Sequence, residues 1–152
     1  MILSLIVLII VILLIAEIFT YLFHRYLFHH GNVLSCHDYH RIHHLTGDDA
    51  SYDYLIMAII LFGATVAVII GGYLMGMPFP LVITTVLTAY VYYVINWNIH
   101  SWYHSSSRDG NPIGQWMIKY HDYHHVDPTR NYGIITPVGD ILGGTYYNPS
   151  SN

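Results

Sequence analysis

Three long apolar runs alternate along the chain with segments rich in histidine, tyrosine and acidic residues. The first, Met1 to Phe23, is nearly all Ile, Leu and Val, interrupted by Ser4, Glu17 and Thr20. About 20 such residues cross the ~30 Å hydrocarbon layer as a helix, so this run predicts a membrane span. A cleaved leader would show positive charge before the apolar run and a small-residue cleavage site after it. Here the run passes straight into His24 and Arg25. Tyr54 to Leu74 predicts a second span, and Gly71, Gly72, Gly76, Pro78 and Pro80 supply the breakers for a tight reversal. Leu81 to Ile99 returns as the third span, which makes a hairpin whose tip, Met75 to Pro80, carries no charge. His24 to Asp53 is polar, and from His100 to Asn152 the chain is polar and aromatic. Asn111 before Pro112 predicts the start of a short helix that carries Trp116 to His125 along the membrane surface. The expected fold is all-α: an integral membrane helical bundle of about three transmembrane helices under a cytoplasmic histidine-rich helical cap, forming a single domain over residues 1–152.

Composition leads to the same class by a separate route. The chain is 54% hydrophobic and 9% charged, where a soluble globular domain has about a quarter of its residues charged. Cys36 is the one cysteine, which excludes a disulfide framework and zinc sites built on paired cysteines. A net charge of -4 with five scattered Lys and Arg residues offers no basic surface, so nucleic acid is excluded as a partner. Three spans put Arg25, Arg41, Arg108, Lys119 and Arg130 all on one side, and the positive-inside rule makes that side cytoplasmic. The N-terminus and the hairpin tip then face the other way. Trp97, Trp102, Trp116 and many of the tyrosines fit an interfacial belt. Glu17 is costly within a span and is expected to face an interior or a site; seven residues before His24, it shares that residue's helix face.

Ten of the twelve histidines fall into four clusters: His24 and His29; His40, His43 and His44; His100 and His104; His121, His124 and His125. Spans assigned from hydropathy alone put all four on the cytoplasmic face. Residues three and four apart share a helix face, so each triplet is expected to converge on one point, as is the His100 and His104 pair. His24 and His29 are five apart and diverge on a regular helix, which predicts a helix end or a distorted turn between them. Neutral imidazole ligates Fe, Cu, Ni and Zn, and its ordinary pKa of ~6.5 leaves it largely neutral in the cytosol. A single histidine here would be an ordinary interfacial residue. Ten in four clusters, two with identical spacing, indicate a metal centre, with about five ligands for each of two metals. His30 and His37 fall outside the repeated spacing and are expected to be solvated or to support the ligands. Asp122, Asn96 and Asn98 are candidates for orienting imidazole N–H groups.

The series His24-x4-His29, His40-x2-His43-His44, His100-x3-His104, His121-x2-His124-His125 resembles the fatty acid hydroxylase and sterol desaturase superfamily of membrane oxygenases. The likeness continues in Tyr21-Leu22-Phe23-His24-Arg25-Tyr26-Leu27-Phe28-His29 and in a tail reading Asn131-Tyr132-Gly133, Thr136, Asp140, Gly144-Thr145. It covers the chain from about Glu17 to Thr145. One departure is local: the family tail usually has Trp before the Asp and Phe before Gly-Thr, where this chain has Gly139 and Gly143, so aromatic packing is expected to be missing there.

The resemblance implies two iron ions held by the ten histidines, with zinc as a possible occupant and O2 as co-substrate. The implied reaction is hydroxylation of a C–H bond in a membrane lipid, fatty acyl, sphingolipid or sterol. Electrons would come from an external donor such as cytochrome b5 or ferredoxin with its reductase. Carotenoid hydroxylation and lipid desaturation occur in the same superfamily and remain alternatives. The expected location is a multi-pass protein of the endoplasmic reticulum or a bacterial inner membrane. A different class, a non-redox metal-binding membrane protein or zinc hydrolase, fits less well. A transporter places ionisable groups in several spans, and a zinc hydrolase uses few ligands.

Overall fold

Backbone in hydrocarbon must satisfy its hydrogen bonds within its own helix, and each apolar run folds accordingly. The computed structural model describes residues 2–31, 35–47 and 50–149; Met1, where the predicted first span begins, lies outside them. Helix α1 covers Ile2–Leu22, α2 Cys36–Thr46, α3 Ser51–Leu74, α4 Phe79–Tyr103, α5 Pro112–Val126 and α6 Val138–Gly143, with a π-helical segment, Phe23–His29, between α1 and α2. Among the described residues there is no strand, and three helical stretches are long and apolar enough to cross a membrane: Ile2–His29, Ser51–Leu74 and Phe79–Tyr103. Their large apolar side chains point outward, with Phe62 65% and Leu87 59% exposed. In water such a surface would be an aggregation liability; in a helical membrane bundle it is the lipid-facing side.

The second and third spans outrun their hydropathy signal, beginning at Ser51 instead of Tyr54 and ending at Tyr103 instead of Ile99. Hydropathy reads the lipid-immersed part, whereas helical hydrogen bonding continues into the polar residues that carry His100. The hairpin turns where expected. Met77 N–H donates to the Gly72 carbonyl (2.9 Å), and Gly76 takes φ +64°, a conformation glycine adopts without steric cost. α1 and α3 both pack along α4, but scarcely touch each other.

The polar segments form the cap. α5 starts as predicted: the Asn111 side chain accepts from Gly114 N–H (2.9 Å) and Pro112 occupies the first turn. α2 ends on Gly47, whose φ of +67° lets its N–H reach the His43 carbonyl. The short α6 docks on α1, and this contact resolves the two glycines in the tail. A side chain at Gly139 or Gly143 would overlap Tyr21, whose ring lies over both. The ring is supplied by α1 instead of the tail. Its hydroxyl accepts from Arg25 and donates to Thr145 Oγ1 (3.3 Å), and Arg25 also donates to the Gly143 carbonyl (3.3 Å).

Filling this position forces overpacking, which typically costs about 1–3 kcal/mol. Gly143→Ala is therefore expected to lower thermal stability in detergent. In a Tyr21→Ala background the same change should cost much less. Strictly additive effects in this double-mutant cycle would refute the contact.

Candidate metal centre

On an α-helix each residue turns by 100°, so residues five apart point about 140° from each other. The π-helical segment, with its i→i+5 hydrogen bonding, removes this divergence and brings the His24 and His29 rings to 5.0 Å. The distorted turn expected from their spacing is this widened one. α2, α4 with its C-cap residue His104, and α5 supply the other eight candidates.

The ten histidines assemble into two sets of five. His24, His29, His40, His44 and His124 form one; His43, His100, His104, His121 and His125 form the other. Within each set, one ring nitrogen per residue lies within 4.8 Å of all the rest. Neither triplet converges on a single point. Residues four apart stay together, so His40 and His44 join one set, and His121 and His125 the other. Successive residues point about 100° apart, which sends His43 across to the α4 pair and His124 across to the π-segment pair. Each set is thus one pair, one i,i+4 couple and one crossing residue, in a two-fold-like exchange between α2 and α5. The stacked rings of His44 and His125, 4.2 Å apart, join the sets.

Ring orientation tests whether a metal fits. His24 Nδ1 faces the Tyr132 carbonyl (2.5 Å) and His124 Nδ1 the Arg130 carbonyl (2.6 Å). A carbonyl has no proton to give, so each Nδ1 is the donor, and a neutral imidazole then presents a bare lone pair at Nε2. His40 Nδ1 likewise donates to Asp53 Oδ2 (2.6 Å). Yet the Nε2 atoms of His24 and His40 are 3.0 Å apart, and those of His24 and His124 3.1 Å. Lone pairs converging at this distance with no proton between them repel, and a cation among them reverses the sign. In the other set His121 Nε2 faces His104 Nε2 (2.9 Å) and His125 Nε2 (3.1 Å), while His100 Nε2 is buried with no hydrogen-bond partner.

Electrostatics also prepares the rings as ligands. Burial, reinforced by neighbouring imidazoles, pushes His40, His121 and His124 well below the ordinary histidine range. The same causes bring His44 to about 2 and His104 to about 3; His125 falls to about 4, chiefly through burial. These rings are therefore neutral at pH 7, the form that binds metal.

The supporting groups differ from those expected. Asp122 is taken by Arg108 (2.6 Å), Asn98 Nδ2 donates to the Val94 carbonyl (2.7 Å), and Asn96 Oδ1 accepts from the Tyr54 hydroxyl (3.4 Å). Asp53 orients His40 instead; in the sequence it marks only the polar edge of a span. Glu17 is buried, but meets Thr136 of the tail and Tyr92, not the histidine sets. His30 and His37 lie outside both sets and donate to the Arg25 and Phe28 carbonyls (2.6 and 3.1 Å).

Beneath the His24 contact lies Asp140, fully buried. Its carboxylate accepts from Tyr132 N–H (2.9 Å), Gly133 N–H (2.7 Å), Thr145 Oγ1 (2.6 Å) and the Tyr120 hydroxyl (2.5 Å). Burial beside Asp140 raises the Tyr120 hydroxyl pKa, so it stays protonated and donates. Asp140 thereby fixes the main chain at Tyr132, whose carbonyl fixes His24. This role was invisible in the sequence, although the tail motif contained the residue.

An all-imidazole donor set suits iron, copper, nickel or zinc. In comparisons with known proteins, the model of the fatty acid hydroxylase family matches residues 9–145, which contain all ten histidines and Asp140. No curated protein and no solved structure matches. The chain therefore belongs to the fatty acid hydroxylase family, within the fatty acid hydroxylase and sterol desaturase superfamily.

Proposed function

We propose that this chain is a membrane di-iron oxygenase that hydroxylates a C–H bond of a lipid, a fatty acyl chain, sphingolipid or sterol. The observation that carries the reading is the pair of five-imidazole sets whose ring nitrogens already converge. The balance is one C–H bond, one O2, two electrons and two protons giving one C–OH and one water. Iron in both positions would supply activation of O2 and oxidation of the C–H bond; zinc, a d10 ion without redox chemistry, would occupy the sets and be inert. The chain's own part is to hold ten neutral rings, to fix three of them through Asp53 and the Tyr132 and Arg130 carbonyls, and to bury the centre away from bulk water. The electrons come from an external donor of the cytochrome b5 or ferredoxin type with its reductase.

The deciding measurement is turnover of a host-membrane lipid extract under 18O2 with reductant. A lipid product that keeps one labelled oxygen is expected. An alkene with the label only in water would replace hydroxylation by desaturation, and no O2 consumption by iron-loaded protein would overturn the oxygenase reading.

The positive-inside rule assigns the histidine cap to the cytoplasmic side. Gly76→Cys should then react with an impermeant thiol reagent from outside intact cells, and Ser107→Cys only after the membrane is opened. Cys36 is fully buried and gives little background. The reverse pattern would invert the topology.

A further inference from the structure

Arg25 is a cation at the edge of the hydrocarbon layer with no anion beside it. The apolar run of α1 ends at Phe23, and Arg25 follows in the same continuous helical stretch. Its Nη1 donates to the Tyr21 hydroxyl and to the Gly143 carbonyl, and the second of these bonds lies at the protein surface. The guanidinium sits within 5.9 Å of the ring centres of Tyr21, Tyr26 and Tyr132, the range in which a ring face attracts a cation. All of these partners are neutral. Among the described residues the ion pairs are His40 with Asp53 and Arg108 with Asp122, so no carboxylate there offsets the Arg25 charge. An arginine cannot lose its proton to escape the cost of leaving water, so its charge calls for an anion from outside the protein.

The surroundings say where that anion comes from. Leu22, Ile18 and Leu14 stand three, seven and eleven residues before Arg25, on the same face of α1, and all three are exposed. On the other flank are Ile141 and Leu142 of α6, the latter 72% exposed and next to the Gly143 carbonyl that Arg25 holds. Tyr26, 53% exposed, adds a phenol hydroxyl at the rim. From Leu14 to Arg25 the helix rises about 16 Å, roughly half of the ~30 Å hydrocarbon layer. A cation therefore caps an apolar strip as long as the acyl region of one leaflet.

We propose that Arg25 binds the phosphate of an anionic phospholipid in the leaflet on the histidine side, with an acyl chain lying along Leu22, Ile18 and Leu14. The planar guanidinium fork matches phosphate oxygens, and the net negative charge of such a lipid supplies the missing counter-charge, which a zwitterionic lipid does not. Because the head group meets both α1 and the end of α6, a bound lipid favours the docked tail that carries Asp140. The site lies outside the histidine sets, and binding requires neither turnover nor the oxygenase reading.

The test uses full-length, metal-loaded protein in phosphatidylcholine nanodiscs with either of two probes, a phosphatidylglycerol or a phosphatidylcholine, each bearing a diazirine beside the phosphate. After irradiation the phosphatidylglycerol probe should mark peptides at Tyr26 and Leu142, and the phosphatidylcholine probe should mark them much less. Unlabelled phosphatidylglycerol should compete, and inorganic phosphate should not. Arg25→Gln should lower the labelling about tenfold, as loss of charge-assisted bonds predicts, and Arg25→Lys, which keeps the charge but not the fork, should fall between. Lys119→Gln removes an exposed cation elsewhere on the cap and should label like the wild type. Equal marking by both probes would show that net charge is not recognised, competition by inorganic phosphate that the ligand is a soluble anion, and equal loss in Lys119→Gln that attraction is spread over the cap; each result would overturn the proposal, as would undiminished labelling in Arg25→Gln. Should Arg25→Gln not fold, the two probes and the competition on wild type decide by themselves. Phosphatidylglycerol should also raise the wild-type melting temperature above that in pure phosphatidylcholine, and no rise would refute the link to the tail. Absent O2 consumption with the expected labelling would count against the oxygenase reading alone.

Discussion

Protein purified from iron-replete cells is expected to carry about two metals per chain, one for each set of five imidazoles. His124→Ala should leave about one metal and no oxygenase activity, because it removes a ligand from the set containing His24 and leaves four lone pairs around a hole that water fills poorly. His43→Ala should do the same to the other set. The informative variants are doubles. His44→Ala with His124→Ala damages one set and should retain one metal, whereas His43→Ala with His124→Ala damages both and should retain almost none. His30→Ala and His37→Ala, whose rings only cap main-chain carbonyls, should keep both metals. Equal metal content in the two doubles would disprove the division of ligands.

Asp140→Ala should be at least as damaging, although this side chain touches no histidine ring. Its removal orphans four buried donors, from Tyr132, Gly133, Thr145 and Tyr120. At about 1–3 kcal/mol each, the loss approaches the ~5–15 kcal/mol by which folded proteins are stable at all. The variant should accumulate poorly, and what survives should lose metal first from the set holding His24, since the Tyr132 carbonyl is then no longer fixed. Tyr120→Phe deletes one donor along with its need for an acceptor and should be mild. Wild-type unfolding and two bound metals in Asp140→Ala would refute this account.

These two cases mark how far the sequence can be read. Hydropathy located the three apolar helices because lipid immersion leaves a signal in consecutive residues. Spacing identified the ten histidines, and even the widened turn between His24 and His29, because helical geometry is local. The destinations of His43 and His124 were not readable, since an adjacent pair states only that two directions differ and not which helix waits in each. Asp53 and Asp140 looked like ordinary acids because their partners are 13 residues away or on another segment. Tyr21 shows the same limit from the other side: the tail lacks its usual rings, and the compensating ring stands more than a hundred residues earlier.

The exchange of residues between α2 and α5 also bears on how the protein is made. Each set contains at least one histidine from the stretch 121–125, and each contains at least one from the stretch 40–44. A nascent chain that has threaded its hairpin but not yet reached codon 121 therefore has no complete set to offer, however much metal surrounds it. Loading must wait until the stretch 121–125 has left the ribosome. Once it happens, it ties the stretch 40–44 to the stretch 121–125, so that products terminated before residue 121 cannot complete either set.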